Sequence, residues 1–204
     1  MVDYFIQGGF FMWPILALLA VGLAFSIERF WTLTRASVNT RKFLAKLHNA
    51  LQEGGIDGAA AECEKTPGPV ASILHAGLSR ADKGLEHVEK AISNAGSIEM
   101  AFLERGMVVL TTVIVLAPML GFTGTVAGMV DAFEAIKVKN DISPNIVAGG
   151  ISKALLTTLF GLIVAMIIQV LYNYFSSRID KLVIDMEESS VELMDALVEM
   201  QGNK

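Results

Sequence analysis

The chain has 204 residues, of which 53% are hydrophobic and 18% are charged, with a mean hydropathy of +0.53 and a formal net charge of −5. Soluble domains of this size are less apolar, so the composition predicts a membrane protein, and the acidic balance argues against a nucleic-acid partner. A single cysteine, Cys63, excludes an intrachain disulfide, and without a C-x-x-C pair or a His/Cys cluster we predict no metal site and no cofactor.

Three apolar tracts meet the length of roughly 17–25 residues that a membrane-spanning helix requires. They run from Phe10 to Ile27, from Gly106 to Val130 and from Ala154 to Ser177. No small-residue cleavage motif follows the first tract, so we expect a retained anchor rather than a signal peptide. The predicted fold class is therefore an all-α integral membrane protein with three transmembrane helices.

Basic residues near the first tract set the predicted orientation. Five of them follow it closely, namely Arg29, Arg35, Arg41, Lys42 and Lys46. Because positively charged flanks stay on the inner side, the N-terminus is expected to face outward and the C-terminus inward. The predicted segments are an outer N-terminus (1–9), transmembrane helix 1 (10–33), an inner helical segment (34–105), transmembrane helix 2 (106–133), a short outer loop (134–150), transmembrane helix 3 (151–177) and an inner C-terminal helix (178–204).

The inner segment and the tail carry apolar residues at helical spacing. Interruptions at Gly54-Gly55 and at residues 66–69 (TPGP) predict short helices, after which the pattern continues from Val88 to Leu103 with no proline before the second span. We therefore expect one helix to run from the inner segment into that span. The stripe of the tail consists of Ile179, Leu182, Met186, Leu193 and Leu197. Such stripes on helices that extend beyond the membrane predict a collar of subunits, with a self-contained bundle in one chain as the alternative.

The second and third spans each carry a face of small and hydroxyl-bearing residues. On the second span these are Gly121, Thr125, Gly128 and Ala132, with Gly124 and Gly128 as a small-xxx-small pair; on the third they are Ala154, Thr158, Gly161 and Ala165, with Gln169 near the same face. Polar groups in hydrocarbon are costly, so these faces indicate either helix packing or a functional path.

Thr125 and Thr158 also match in depth. Thr125 lies six residues before Asp131, and Thr158 lies five residues after Lys153, so both are about 8–9 Å below the outer charges. Two hydroxyls at one level can hydrogen-bond water or an acid on a partner helix without the cost of an isolated charge in lipid.

A purely structural interpretation competes with this one. Hydroxyls in membrane helices commonly bond back to a carbonyl one turn earlier, for which Thr123 and Thr157 are the better candidates, and glycine faces often do no more than pack. Pro118 is expected only to bend the second span. No Asp, Glu, Lys, Arg or His lies inside the three tracts, so any ion path would need a titrating group from a partner.

At these residues the chain resembles the MotA/TolQ/ExbB proton-channel family, and most closely its three-span ExbB and TolQ branch. The matching tracts are QGGFFMWPIL followed by IERFWTL, then PGPVASILHAGLSRADKG, LERGMVVLTTVIVLAPMLGFTGTVAGMVDAF and ISKALLTTLFGLIVAMIIQVLYNYF. Together they cover most of the chain in the order of the family. The four-span flagellar stator branch fits less well, because only three spans are present.

The resemblance implies a pentamer in the bacterial inner membrane, with a periplasmic N-terminus and a cytoplasmic C-terminus. The ring would surround the single transmembrane helices of two ExbD- or TolR-like chains, and Thr125 and Thr158 would line the ion path near an aspartate of those chains. The implied function is not enzymatic: the chain would be the pore-forming subunit of a motor driven by the proton motive force. That motor would energise TonB-type outer-membrane transport or envelope maintenance, with a TonB- or TolA-like protein as a further partner.

Two departures from the family pattern leave alternatives open. Lys153 replaces a glutamate at the outer mouth and is expected to pair with Asp131 or Glu134, and Ile167 replaces a proline in the third span. Oxygen-rich sites suit hard cations, so sodium is an alternative to the proton. The additional polar residues are Thr123, Thr157 and Gln169. The alternative function is a structural membrane scaffold that conducts no ions.

Overall fold

The computed structural model of the chain describes residues 2–37, 39–139 and 144–202, and it confirms the all-α fold class. Seven α-helices are found in the described residues, with a 3-10 helix at Ala81–Lys83 between the fourth and the fifth. They are α1 (Val2–Gln7), α2 (Met12–Ala36), α3 (Thr40–Lys65), α4 (Pro69–Leu78), α5 (Leu85–Glu104), α6 (Met107–Lys139) and α7 (Pro144–Gly202).

Three helical stretches are long and apolar enough to cross a membrane. They lie within Met12–Lys65, Leu85–Val138 and Val147–Met200, and their most apolar windows have mean hydropathies of 1.6, 2.0 and 2.4. Only 22%, 28% and 28% of these windows are buried inside the chain. Helices that are apolar on all sides and largely uncovered need lipid or other chains around them.

The chain divides into two compact units. Unit 1 consists of Met1–Arg29 and Gly106–Tyr174, and unit 2 consists of Phe30–Arg105 and Phe175–Lys204. Unit 1 therefore holds α1, α6 and the apolar parts of α2 and α7, whereas unit 2 holds α3, α4, α5 and the remaining parts of α2 and α7.

Unit 2 is built around the short apolar helix α4. Ile73 and Leu74 of this helix are 1% and 0% exposed, and α4 packs against both α3 and α5. Gly77 allows the close approach of α5, because a Cβ at this position would lie 2.6 Å from Cγ1 of Ile92. Burial of α4 on two sides thus supplies the core of this unit.

The interruptions predicted in the inner segment are present. Helix α3 has a kink at Gly55, whose φ of +63° is in the left-handed region that favours glycine. The helix ends at Lys65, and α4 begins at Pro69, where the missing N–H costs no helical hydrogen bond.

The helix expected to run from the inner segment into the second span is not continuous, so that prediction is wrong. Helix α5 ends at Glu104 and α6 begins at Met107. Between them Gly106 has a φ of +87°, a left-handed conformation that ends helices and that glycine adopts without steric cost. The absence of proline did not reveal this break, because glycine can end a helix equally well.

The apolar stripe of the tail is covered by the chain itself. Its five residues are 3–5% exposed. The prediction that this stripe forms contacts between subunits is therefore wrong, and the alternative, burial within one chain, is correct for these residues. A second set of apolar residues in unit 2 is 49–71% exposed, and it consists of Ile98 and Phe102 on α5 and Ile184, Val191 and Val198 on α7.

Helical structure extends into the predicted outer loop (134–150). Helix α6 continues to Lys139, and α7 begins at Pro144, while residues 140–143 of that loop lie outside the described residues. The chain thus continues both helices beyond the apolar tracts that predicted them.

Candidate functional site

The small-residue faces of α6 and α7 pack directly on each other in unit 1. A Cβ at Gly121 would lie 2.9 Å from the carbonyl oxygen of Thr157 and 3.0 Å from Cα of Thr158. A Cβ at Gly124 would lie 2.5 Å from Oγ1 of Thr157. Any larger residue would push the helices apart, so these glycines let the two backbones touch.

The close packing continues in both directions along the helix pair. In one direction, a Cβ at Gly161 would lie 2.5 Å from the carbonyl oxygen of Ala117. In the other, a Cβ at Gly128 would lie 3.3 Å from Cβ of Ala154, and a Cβ at Gly150 would collide with that of Ala132. The two faces predicted from residue spacing therefore meet each other within a single chain.

One carbonyl oxygen, that of Gly121, connects the two candidate threonines. Thr158 Oγ1 on α7 donates a hydrogen bond of 3.1 Å to this oxygen on α6. In an α-helix the same oxygen accepts the backbone N–H four residues later, which here belongs to Thr125. Because a carbonyl oxygen has two lone pairs, these two bonds occupy it fully.

Thr157 lies beside the same carbonyl group. Its Oγ1 is 2.8 Å from the carbonyl oxygen of Ala154 and 3.2 Å from that of Gly121. The side chain is 1% exposed and fills the space that Gly124 leaves by having no side chain. A hydroxyl has one hydrogen, so Thr157 donates to the nearer oxygen, that of Ala154, and Gly121 remains available to Thr158.

The Thr125 hydroxyl is also engaged as a donor. It bonds to the carbonyl oxygen of Phe122 on its own helix at 2.5 Å. Thr125 and Thr158 are both half-buried, and each has given its only hydroxyl hydrogen to a backbone carbonyl. Toward any other group both hydroxyls are therefore acceptors, able to bind a protonated acid, a water molecule or a cation.

Two further polar residues bond within their own helices. Thr123 donates to the carbonyl oxygen of Met119 at 2.8 Å, which is the back-bonded arrangement predicted for it. Gln169 Nε2 donates to Asn173 Oδ1 at 2.8 Å.

Helix α6 continues through Pro118 without a break. On the third-span face, Ala154 and Ala165 are buried.

An ion pair joins the ends of α6 and α7 that lie beyond the threonines. Lys153 Nζ is 3.0 Å from Asp131 Oδ2, so Asp131 is the one of the two expected carboxylates that pairs with it. Glu134 is exposed on α6. The two paired side chains are 37% and 63% exposed, so solvent screens the pair and its contribution to stability is at most about 1 kcal/mol.

Two residues gain an unexpected place in the structure. Thr157, predicted to bond back to its own helix or to serve as an additional polar residue, also reaches the carbonyl group of Gly121 on α6. Arg29, which the sequence singles out only among the basic residues after the first tract, is 3% exposed, and its Nε and Nη2 each lie 2.7 Å from the Glu28 carboxylate. The adjacent acid and base at the end of an apolar tract were the sequence signal for this pair, in which Arg29 is buried and the Glu28 side chain is 52% exposed.

The profile of the MotA/TolQ/ExbB proton channel family matches residues 65–188, more than half of the chain. The chain belongs to this family. The matched region contains α4, α5, α6 and most of α7, and hence every threonine and glycine of the helix pair. MotA/TolQ/ExbB proteins form a channel family rather than an enzyme family, in agreement with the three apolar stretches of this chain.

Relatives within the family carry ExbB and TolQ names. A biopolymer transport protein ExbB homolog of Methanothermobacter thermautotrophicus is 34% identical over 88% of this chain, which spans 64% of the relative's length. The ExbB-like 1 protein of Synechocystis is 27% identical over 88% of this chain, and the match spans 74% of the relative's length. The Tol-Pal system protein TolQ of Pseudomonas aeruginosa is 34% identical over 50% of this chain and 44% of its own. The likeness thus reaches both named branches.

Proposed function

We propose that this chain is the pore-forming subunit of an ion-driven motor in the bacterial inner membrane, with Thr125 and Thr158 lining the ion path. The observation that carries the proposal is the pairing of α6 and α7, in which the Thr158 hydroxyl donates to the carbonyl oxygen of Gly121 and the Thr125 hydroxyl donates to the carbonyl oxygen of Phe122. This arrangement fixes two hydroxyl oxygens on one subunit and leaves their lone pairs available. Fixed acceptor oxygens suit the passage of a proton on water or on a carboxyl group.

The proposed titrating group belongs to a partner chain. No Asp, Glu, Lys, Arg or His lies inside the three apolar tracts of this chain, whereas proton relays through membranes use such residues. We therefore assign the acid to an ExbD- or TolR-like single-span subunit, and the relatives named ExbB and TolQ support this assignment. The two threonines would accept hydrogen bonds from the protonated form of that acid.

The proposed assembly is a ring, a pentamer by family resemblance, around two partner helices. Support comes from apolar surface that one chain leaves uncovered in unit 2, where Val191 is 62% and Ile98 is 71% exposed. Large exposed apolar patches on a protein mark contacts with other chains or with lipid. A ring of copies would cover such residues and would enclose the partner helices.

The proposed topology places the N-terminus in the periplasm and the C-terminus in the cytoplasm. The basic residues that follow the first apolar tract, from Arg29 to Lys46, support it. The work driven by ion flow would be TonB-type outer-membrane transport or envelope maintenance, through a TonB- or TolA-like protein. The biopolymer transport and Tol-Pal names of the relatives support these two processes equally.

Proton flux into proteoliposomes tests the path. The sample is the full-length chain purified with an ExbD/TolR-like single-span subunit co-expressed from the same genome. We expect Thr125→Ala and Thr158→Ala each to reduce flux by about ten- to a hundredfold, because each removes a hydrogen bond to a group that carries charge during transfer. Assembly, measured by size-exclusion chromatography, should be unchanged.

Thr123→Ala is the matched control. Thr123 is a threonine of the same helix, but it is exposed and bonds only one turn back, to Met119. Its loss should leave the flux unchanged. If both Thr125→Ala and Thr158→Ala retain full flux, the proposed path is wrong.

Two alternatives are tested by the same preparation. If the chain is a scaffold, Gly128→Leu should abolish assembly, while the threonine variants should have no effect. A leucine at Gly128 has no room, because an added Cβ would already lie close to Ala154. If sodium is the ion, flux should follow a sodium gradient at constant pH. Hydroxyl and carbonyl oxygens are ligands that hard cations accept.

A further inference from the structure

We propose that Thr157 is a positioning residue that switches Thr158 between acceptor and donor. Thr157 has two carbonyl oxygens within hydrogen-bonding distance, that of Ala154 at 2.8 Å and that of Gly121 at 3.2 Å. Thr158 has the same Gly121 oxygen as its acceptor, at 3.1 Å. Two hydroxyl groups therefore share one carbonyl oxygen, and only one of them can use it at a time.

The limit comes from the lone pairs of the Gly121 oxygen. One lone pair is taken by the helical bond from the N–H of Thr125, so one remains for a hydroxyl. When Thr157 donates to Ala154, Thr158 donates to Gly121 and is an acceptor toward its surroundings. When Thr157 turns its hydrogen to Gly121, the Thr158 hydrogen is released and can be donated outward.

The exchange needs only rotation of two hydroxyl groups. Thr157 Oγ1 reaches both acceptors from one side-chain position, so its hydrogen moves by rotation about the Cβ–Oγ1 bond, and no covalent bond is made or broken. The side chain cannot leave this position easily, because it is 1% exposed and held in the space beside Gly124. The Gly121 oxygen keeps a hydroxyl donor in both states, and in the second state the released Thr158 hydrogen is satisfied by an acceptor outside the chain.

The two states match the two protonation states of a carboxyl group. A protonated acid is a donor and needs an acceptor, which Thr158 provides in the first state. An ionised carboxylate accepts only, so it needs a donor, which Thr158 becomes in the second state. This inference rests on the proposed function, since it assumes that a carboxyl group of a partner passes Thr158.

The charged groups of the surrounding elements lie at the ends of the apolar tracts, and the nearest to this switch, Lys153, is one helical turn before Thr157. On α7 the nearest is Lys153, and on α6 it is Asp131, and these two are paired with each other at 3.0 Å. On α2 the nearest are Glu28 and Arg29 at the opposite end of the apolar tract. None of the three tracts holds a charged residue between these ends, so the hydroxyls are the groups of this chain that can respond to a change of charge on a partner.

The test is the pH dependence of proton flux for Thr157→Val, measured in proteoliposomes with the full-length chain and its co-expressed single-span subunit. Without the Thr157 hydroxyl, release of Thr158 is no longer compensated at Gly121, so the ionised carboxylate is disfavoured. We expect the rising limb of the flux profile to move to higher pH by about half to one unit, which is the effect of one net hydrogen bond. Thr157→Ser keeps the hydroxyl and should restore the wild-type midpoint.

The controls separate this inference from the proposed function. Thr123→Val removes a hydroxyl of α6 that bonds to Met119 and should not move the midpoint. If Thr158→Ala reduces flux as expected while Thr157→Val has the wild-type midpoint, the switch is refuted and the ion path stands. If Thr158→Ala and Thr125→Ala both keep full flux, the path itself is refuted.

Assembly is checked for each variant by size-exclusion chromatography. Valine places a methyl group where the hydroxyl lay near two carbonyl oxygens, so Thr157→Ala serves if the valine variant does not assemble. Alanine removes the same hydroxyl without crowding and should shift the midpoint in the same direction. A wild-type midpoint in the assembled alanine variant would overturn the proposal.

Discussion

Hydroxyl groups in the apolar helices of this chain bond mainly to carbonyl groups of the preceding turn. Ser26 donates to Gly22 at 2.7 Å, and Thr112 donates to Val108 at 2.8 Å. Such bonds satisfy a polar group in hydrocarbon without help from another helix. Thr158 instead donates to a carbonyl group of a different helix. The orientation of the Thr158 hydroxyl therefore depends on the packing of α6 against α7, and a change in that packing would alter this hydrogen bond.

The thiol of Cys63 in unit 2 is kept inert by its surroundings. The side chain is 3% exposed, and burial, with a smaller contribution from the charge of Glu62, raises the pKa of the thiol from 9.0 to about 12. We predict that iodoacetamide at pH 8 reacts roughly a thousandfold more slowly with the folded chain than with the unfolded chain, because the thiolate fraction falls with each unit of pKa. Cys63 is the only cysteine, so the labelling signal is unambiguous.

The raised pKa of Cys63 also makes the stability of the folded chain fall at high pH. Above the pKa of the unfolded thiol, near 9.0, the unfolded chain loses this proton while the folded chain retains it up to about 12. The contribution of Cys63 to stability is therefore lost as pH rises through that window, and Cys63→Ala should flatten the decline. Equal labelling rates in the folded and unfolded chains would contradict a buried thiol.

At the scale of elements, the pairing of α6 with α7 depends on glycine. We predict that Gly124→Ala lowers the stability of the chain in detergent by about 1–3 kcal/mol, since its Cβ would lie 2.5 Å from Oγ1 of Thr157 and the helices must separate. Thermal unfolding followed by tryptophan fluorescence measures the change. The matched control is Gly149→Ala on α7, where no heavy atom lies within 4 Å of the added Cβ.

The control should match or slightly exceed the parent in stability, because alanine favours the helix over glycine by up to about 1 kcal/mol. A melting temperature of Gly124→Ala equal to that of Gly149→Ala would show that the two helices do not touch at this level. It would also remove the basis for the hydrogen bond of Thr158 across the pair.

Residue spacing predicts the helices and the faces of α6 and α7, because a period of 3.6 residues fixes which side chains share a side. The glycines and alanines placed on those faces do meet, with Gly161 against Ala117 and Gly128 against Ala154. Spacing did not reveal which oxygen Thr157 reaches, since that depends on how far each helix slides along its neighbour. The shared carbonyl of Gly121 is a product of tertiary packing.

The limits of sequence patterns are equally plain in unit 2. An apolar stripe shows that something covers a helix, but it does not identify the covering chain. Leu193 and Leu197, expected to face neighbouring subunits, are buried inside their own chain, whereas Val191 and Val198 of the same helix are exposed. Similarly, the helical pattern up to Leu103 leads into the second span with no proline between them, yet the left-handed conformation of Gly106 ends a helix there.

At the scale of the whole molecule, two observations support the proposal that the functional assembly holds more than one chain. Most of each apolar window is uncovered by the chain itself, and unit 2 adds exposed apolar residues outside those windows. The three tracts also lack a charged residue that could take up and release a proton. A ring of copies around a partner that carries an acid meets both needs.

Native mass spectrometry of the detergent-purified chain, alone and co-expressed with its single-span ExbD/TolR-like subunit, tests this central claim most directly. We predict a complex of five copies that takes up two partner chains, and the same stoichiometry for the Thr158→Ala variant, because the proposed role of that threonine is on the ion path. A monomer or a dimer that binds no partner would contradict the motor and leave the scaffold as the function.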